Sequence, residues 1–201
     1  MLRKLPPAQM GGILLLAMFT VFITWRAKTL ESEFHERDPA AALLHKKAPD
    51  FSLTSNDGRT ISLADYRGKK NVVLSYWASW CGPCRLELPQ LREFYKKFHT
   101  ENSDFEVLAI SLDDDKFAAD EYARKEKLPF PILYDPGNRA ADAYSVEVIP
   151  TICIVDKAGK VIYAKTGLEE TMEIELAVRL GLNPTIPGVP AQEPEKHDSH
   201  N

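Results

Sequence analysis

Cysteine is scarce in this chain, and its scarcity limits what can hold the fold together. The 201 residues include three cysteines, which are too few for the disulfide framework of a small secreted scaffold. The five histidines do not stand at ligand spacing around Cys153, so a zinc site is not expected. The core must therefore be held by the burial of apolar side chains, and we expect neither a metal nor another cofactor.

An excess of positive charge is also absent. The chain has 25 lysine and arginine residues against 29 acidic residues, for a net charge of −4. This mild acidic balance favours solubility and argues against nucleic acid or strongly anionic membrane surfaces as partners. A length of 201 residues, with 44% hydrophobic and 27% charged, allows one domain of about 135 residues with flanking segments.

Long hydrophobic runs are missing except near the N-terminus. Residues 10–25 are nearly uncharged and follow Arg3 and Lys4, which is typical of a signal or anchor segment over residues 1–25. At 1.5 Å per residue, this run spans roughly 24 Å, short of a ~30 Å hydrocarbon core, so a cleaved signal peptide is the alternative. The segment from Trp25 to Lys28 lacks a good small-x-small cleavage site, which favours an uncleaved anchor.

Composition divides the remainder into three parts. Residues 26–46 are charged and contain three consecutive alanines at 40–42, which indicates a spacer that holds the domain off the bilayer. Residues 47–182 form the predicted domain. Residues 183–201 contain repeated prolines, acids and histidines, which is typical of a disordered tail.

Two cysteines three residues apart carry the main chemical signal. The stretch before Cys81 is rich in β-branched and aromatic residues and predicts a buried strand, while residues 85–98 have helical spacing. At a helix N-terminus the unpaired N–H groups favour a thiolate, so Cys81 is the candidate nucleophile. Cys84, one turn on, is the candidate resolving sulfur. A structural disulfide and two inert thiols remain alternatives.

The remaining pattern alternates between strands and helices. It predicts strands over residues 105–112, 130–134, 151–155 and 161–165, and helices over 116–127, 139–144 and 171–180. The apolar stripe of the second helix is predicted at Phe117, Ala118, Tyr122 and Ala123. We therefore expect an α/β fold with a mixed central sheet flanked by helices.

The Trp-Cys-Gly-Pro-Cys sequence resembles the thioredoxin superfamily, and more narrowly its membrane-anchored TlpA/ResA-like thiol-disulfide oxidoreductases, whose domain is of the redoxin type. Three further segments carry the narrower resemblance, namely Cys84 to Pro89, Val148 to Thr151, and Ala48 to Phe51 with the residues up to Lys69. The resemblance implies a thioredoxin-like fold with an N-terminal hairpin extension and an insert, residues 114–144, before a cis-proline loop.

The resemblance also implies an activity. We expect a redox-active Cys81–Cys84 pair, whose dithiol form reduces disulfides of protein substrates, such as apocytochrome c, with electrons from a membrane partner. The catalytic domain would lie outside the cytoplasm. Substrate contacts are expected at Trp80, Gly82, Pro83, Ile149 and Pro150.

The chain departs from thioredoxins proper at Ser75, which stands where they have a buried aspartate that helps to move protons. Glu87, one turn beyond Cys84, is the best replacement, because a partly buried carboxylate near a dithiol can accept the proton of the resolving thiol. An ordinary exposed acid in the first helical turn is the alternative.

Other residues and functions complete the expectations. We expect Trp77 in the core, Trp80 exposed beside the reactive sulfur, and Cys153 buried and unreactive. A peroxidase of the peroxiredoxin type and a non-catalytic module that binds client peptides are the two alternative functions. The residues from Ala78 to Trp80 lack the proline and threonine of the peroxidase site, which disfavours the first alternative.

Overall fold

The computed structural model describes residues 18–26 and 39–183. Residues 18–26 are helical (α1), and their side chains are exposed. No helix in these two described ranges combines the length and the hydrophobicity of a membrane-spanning segment. Most of the predicted anchor, of the spacer and of the C-terminal tail lies outside the described residues.

Within residues 39–183, seven strands and four further helices follow α1. Their order is β1 (Ser52–Ser55), β2 (Thr60–Ser62), β3 (Asn71–Trp77), α2 (Cys84–Phe98), β4 (Phe105–Ser111), α3 (Lys116–Glu126), β5 (Ile132–Tyr134), α4 (Arg139–Ala143), β6 (Thr151–Val155), β7 (Val161–Thr166) and α5 (Met172–Arg179). Two 3-10 helices, Pro39–Leu43 and Leu63–Tyr66, precede β1 and β3 respectively.

The strands form one mixed sheet in the order β2-β1-β5-β4-β3-β6-β7. Strand β3 pairs in parallel with β4 and antiparallel with β6, and β4 pairs in parallel with β5. The predicted N-terminal hairpin is present as the antiparallel β1–β2 pair. The fold class predicted from the sequence, a thioredoxin-like α/β fold, is confirmed.

Alternate residues of β3 serve two separate apolar layers. Val73 and Trp77 join the layer under α2, α3 and α5, whereas Leu74 and Tyr76 join the layer on the opposite face. This division follows from the two-residue period of a strand whose two faces are both covered. Both cysteines of the pair lie in the first layer, which we call the α2 layer.

The residues just before residue 47 pack onto the domain. Ala40 is fully buried in the layer opposite α2, and the His45 amide donates to the carbonyl of Val161 on β7 at 2.7 Å. The packed unit therefore includes residues 39–46, which the sequence assigned to the spacer.

Two details of the sequence-based assignment were wrong. Strand β5 begins at Ile132 rather than residue 130, and the preceding Pro131 has no N–H for a ladder bond. Phe117 is 69% exposed, because the buried stripe of α3 runs through Ala119, Tyr122 and Ala123. A residue two positions before such a stripe points to the opposite side of a helix.

Candidate active site

The two predicted cysteines, Cys81 and Cys84, form a disulfide at the junction between β3 and α2. Their sulfurs are 2.01 Å apart. Cys81 is 5% exposed and Cys84 is fully buried, and the Cys84 amide donates to the Cys81 sulfur at 3.2 Å. Cys81 is thus the more accessible sulfur, and a backbone N–H is in place to stabilise negative charge on it after reduction.

The residues around the disulfide are divided between surface and core as expected. Trp80 is 69% exposed, whereas Trp77 has no exposed surface and packs on the Tyr122 ring at 5.4 Å between centroids. Gly82 and Pro83 are exposed. The rim of the disulfide is therefore apolar and open to a partner on the Trp80 side.

The loop before β6 borders the disulfide. The peptide bond between Ile149 and Pro150 is cis, as the resemblance implied. The carbonyl oxygen of Ile149 lies 3.7 Å from the Cys81 sulfur, and the carbonyl of Pro150 accepts a bond from the Gly167 amide at 2.7 Å. The structure therefore brings Ile149 and Pro150 to the side of Cys81.

Glu87 is buried, so the exposed-acid alternative is wrong. Its side chain is on α2, one turn after Cys84, and the residue is 2% exposed. The Ser75 hydroxyl donates to Glu87 Oε1 at 3.2 Å. The pKa of Glu87 is raised to about 8: burial is the largest cause, the Ser75 bond opposes the rise, and the nearby charge of Glu169 adds a smaller contribution to it. Ser75, which stands where thioredoxins carry an aspartate, is thus the hydrogen-bond partner of the Glu87 carboxyl group.

Asp113 is a supporting residue that the sequence analysis missed. Its carboxylate accepts the Ser79 amide at 2.9 Å and the Ser79 hydroxyl at 2.7 Å, and it also accepts the Ser111 hydroxyl at 2.9 Å. These bonds fix the segment that leads into Cys81. The only sequence signal was that Asp113 follows a predicted strand adjacent to β3, since the carboxyl ends of parallel strands lie at one edge.

The third cysteine is remote from this chemistry. Cys153 is fully buried in β6 and belongs to the layer opposite α2. Within residues 18–26 and 39–183, no group of three or more histidine, cysteine or acidic residues is placed to hold a metal ion. The expectation that the protein carries no metal stays a prediction.

A disulfide between two cysteines three residues apart, at a strand-to-helix junction beside a cis-proline loop, defines a thioredoxin-like thiol-disulfide exchange protein. The family model described as AhpC/TSA family matches residues 44–164. The chain therefore belongs to the AhpC/TSA family, within its thioredoxin-like thiol-disulfide oxidoreductases.

Known proteins support the narrower class. Thiol-disulfide oxidoreductase ResA of Geobacillus kaustophilus is 33% identical over 159 residues, covering 79% of this chain and 89% of that protein. ResA of Bacillus cereus is 36% identical over 128 residues, covering 64% and 72%. A putative thiol:disulfide interchange protein DsbE from Chlorobium tepidum has a TM-score of 0.58 and 32% identity, over 67% of this chain and 92% of that chain. The predicted resemblance and the enzyme class are confirmed.

Proposed function

We propose that the protein is a membrane-tethered, extracytoplasmic reductase of protein disulfides, and that Cys81 is its nucleophile and Cys84 its resolving thiol. One observation carries the proposal: Cys81 keeps an exposed fraction of 5% whereas Cys84 is fully buried, and a buried carboxyl group follows one turn later. This arrangement supports an exchange that begins on an outer sulfur and ends on an inner one.

The exchange proceeds in two steps. The Cys81 thiolate attacks one sulfur of the client disulfide, and the other client sulfur leaves as a thiolate that takes a proton from water. Glu87 is a carboxylate in the reduced protein because it protonated the Cys84 sulfur when the disulfide was last reduced. Cys84 then returns this proton to Glu87 and attacks the Cys81 sulfur, which releases the second client thiolate. Two electrons pass to the client, and the Cys81–Cys84 disulfide is formed.

The reverse step uses the same groups. When a donor thiolate attacks the oxidised protein at Cys81, the Cys84 sulfur leaves as a thiolate. Because the pKa of Glu87 is raised to about 8, the carboxyl group holds its proton at neutral pH and can supply it to that sulfur. Glu87 thus acts as a base when the client is reduced and as an acid when the donor reduces the Cys81–Cys84 disulfide.

The substrate surface is the exposed rim of the disulfide. Trp80 offers apolar contact area, and the Ile149 carbonyl beside Cys81 offers a backbone acceptor to an extended peptide. The exposed Gly82 and Pro83 complete the rim, and the buried Pro150 shapes the loop that carries the Ile149 carbonyl. Clients of this kind are secreted thiol proteins, including apocytochrome c.

The direction of transfer and the location belong to the same proposal. The Gly-Pro dipeptide between the cysteines resembles that of thioredoxin, a reductant. In an oxidising compartment a reductase needs electrons from a donor in the membrane, and residues 10–25 would place the domain beside it. Carbonate extraction of membranes and protease access from the outer side test this placement, and a protein that is released by carbonate contradicts the tether.

The chemistry is tested by trapping. Cys84→Ala should accumulate mixed disulfides between Cys81 and client proteins, and dithiothreitol should release them. Cys81→Ser should neither trap clients nor reduce a disulfide-bonded model protein. Reduction that survives Cys81→Ser contradicts the proposed mechanism.

A peroxidase is the second candidate, because the matching family model carries the AhpC/TSA description. Peroxide consumption by the purified protein separates the two. Rapid turnover with sulfenic acid on Cys81 favours the peroxidase, whereas reduction of protein disulfides without peroxide turnover favours the reductase. A client-binding module without catalysis would retain its function in Cys81→Ser.

A further inference from the structure

We propose that Glu169 is a positioning residue of the dithiol site, whose carboxylate charge, held on the α2 side of the sheet by the Tyr163 hydroxyl, adds to burial in keeping the buried Glu87 protonated. This inference deepens the proposed function and rests on it for its catalytic meaning. It adds a second carboxylate, from the segment after β7, to a site otherwise built by β3, α2 and the loop before β6.

Backbone and side-chain bonds place Glu169 near the site. The Gly167 amide donates to the Pro150 carbonyl at 2.7 Å, so the chain leaving β7 is tied to the loop that borders Cys81. Two residues later, Glu169 Oε2 accepts the Tyr163 hydroxyl at 2.5 Å. Tyr163 lies opposite Ile154 in the β6–β7 register and packs against the α2 layer. The carboxylate is therefore held on the same side of the sheet as Glu87.

Among the charged groups on the elements around Glu87, Glu169 is the one whose charge adds to the rise of the Glu87 pKa. Strand β3 contributes the uncharged Ser75, and β6 contributes apolar side chains to this layer. On α5, Glu173 is paired with Lys97 of α2 at 2.7 Å. Glu175 is paired with Arg179 at 3.5 Å, and the Arg179 guanidinium lies over the Tyr163 ring at 5.6 Å. The titratable and charged groups on β7 and the segment after it are Tyr163, Lys165, Glu169 and Glu170.

Two of those four groups are less suited to the role. Lys165 is in register with Ile152 on the α2 side, but its positive charge would favour ionisation of Glu87. Glu170 is exposed, so water screens it. The Glu169 charge instead adds to burial in raising the pKa of Glu87.

A negative charge near Glu87 has a direct catalytic consequence. It makes ionisation of the buried carboxyl group harder, so Glu87 keeps its proton to higher pH. The oxidised protein then has an acid available when the disulfide is opened at Cys81. Loss of the Glu169 charge would lower the pH up to which Glu87 keeps the proton that the Cys84 thiolate needs.

The test is a titration of Glu87 that involves no substrate. The oxidised full chain in detergent is labelled with glutamate carrying ¹³C at the side-chain carboxyl, and the Glu87 resonance is assigned by its absence in Glu87→Gln. We expect Glu169→Gln to move the midpoint of this resonance to lower pH by about half a pH unit or more. Glu170→Gln, the same charge change one residue later, should keep the wild-type midpoint.

A second variant separates charge from position. Tyr163→Phe keeps the Glu169 charge but removes the bond that holds it, and it should move the midpoint in the same direction by a smaller amount. An unchanged midpoint in Glu169→Gln overturns the proposal, as does an equal movement in Glu170→Gln. Because the titration needs no client, failure of the proposed reductase activity would leave this result readable, and a failed titration would leave that activity standing.

Discussion

At the scale of single residues, the site depends on the Glu87 carboxyl group, which is kept protonated and therefore uncharged. Glu87 has an ordinary pKa of 4.5 when exposed, and burial raises the pKa to about 8 in the folded protein. Between these values the folded chain keeps a proton that the unfolded chain has released. The free energy of unfolding should therefore fall as pH rises through this window.

Glu87→Gln should remove this part of the pH dependence. The difference in unfolding free energy between pH 5 and pH 9 should shrink by an amount on the order of 2–4 kcal/mol, measured by urea denaturation of the oxidised protein. The exposed Glu101→Gln is the matched control and should keep the wild-type difference. An unchanged difference in Glu87→Gln would show that the folded protein carries Glu87 ionised.

Two neighbouring tryptophans should respond in opposite ways to truncation. Trp77→Ala removes a fully buried side chain and should lower the free energy of unfolding by about 3–5 kcal/mol. Trp80→Ala removes an exposed one and should change stability by no more than about 0.5 kcal/mol, while it weakens reduction of protein disulfides more than of small disulfides. Denaturation curves and kcat/KM for both substrate types check this, and equal losses on both substrates would contradict the role of Trp80 in client contact.

At the scale of elements, the short link between β3 and α2 is held from the adjacent strand. Asp113, just after β4, accepts three hydrogen bonds from Ser79 and Ser111. The position of Cys81 therefore depends on a side chain that is 34 residues from Ser79 in sequence.

Asp113→Ala should loosen this link. Three donors lose their acceptor, so we expect a loss of about 1–3 kcal/mol in stability and roughly tenfold slower disulfide exchange. Faster hydrogen exchange of the Ser79 amide would locate the effect. Asp114→Ala, at the exposed neighbouring position, should be close to wild type, and slow Ser79 exchange in Asp113→Ala would contradict the assignment.

Sequence patterns predicted most elements because local periodicity produces them. The buried strands β3, β4 and β6 appear as apolar runs, and the two cysteines have a fixed spacing at a strand-to-helix boundary. Phe117 was misplaced because an apolar residue in a first helical turn does not reveal which side faces the sheet. The bonds of Asp113 to Ser79 and of Tyr163 to Glu169 were not predicted, because tertiary folding alone brings those partners together.

At the scale of the whole molecule, the N-terminal connection is partly built into the domain. Residues 39–46 lie against β7 and contribute Ala40 to the layer opposite α2. The segment that leads toward the predicted anchor is thus packed against the sheet ahead of the β1–β2 hairpin.

Ala40→Asp should show how much this contact contributes to the free energy of unfolding. A carboxylate at a fully buried position should lower the free energy of unfolding by about 2–4 kcal/mol, measured by chemical denaturation. Ala42→Asp, two residues later and exposed, should have little effect. Similar stabilities for the two variants would mean that the segment contributes nothing to the fold in solution.

The position of Cys153 has a consequence for fidelity. Its side chain lies in the layer on one face of the sheet, and the Cys81–Cys84 pair lies in the layer on the other. The sheet lies between them, so a client disulfide-bonded to Cys81 is kept apart from the Cys153 sulfur of the same molecule. A chain with three thiols can therefore behave as a strict two-thiol exchanger, protected from scrambling by its own architecture.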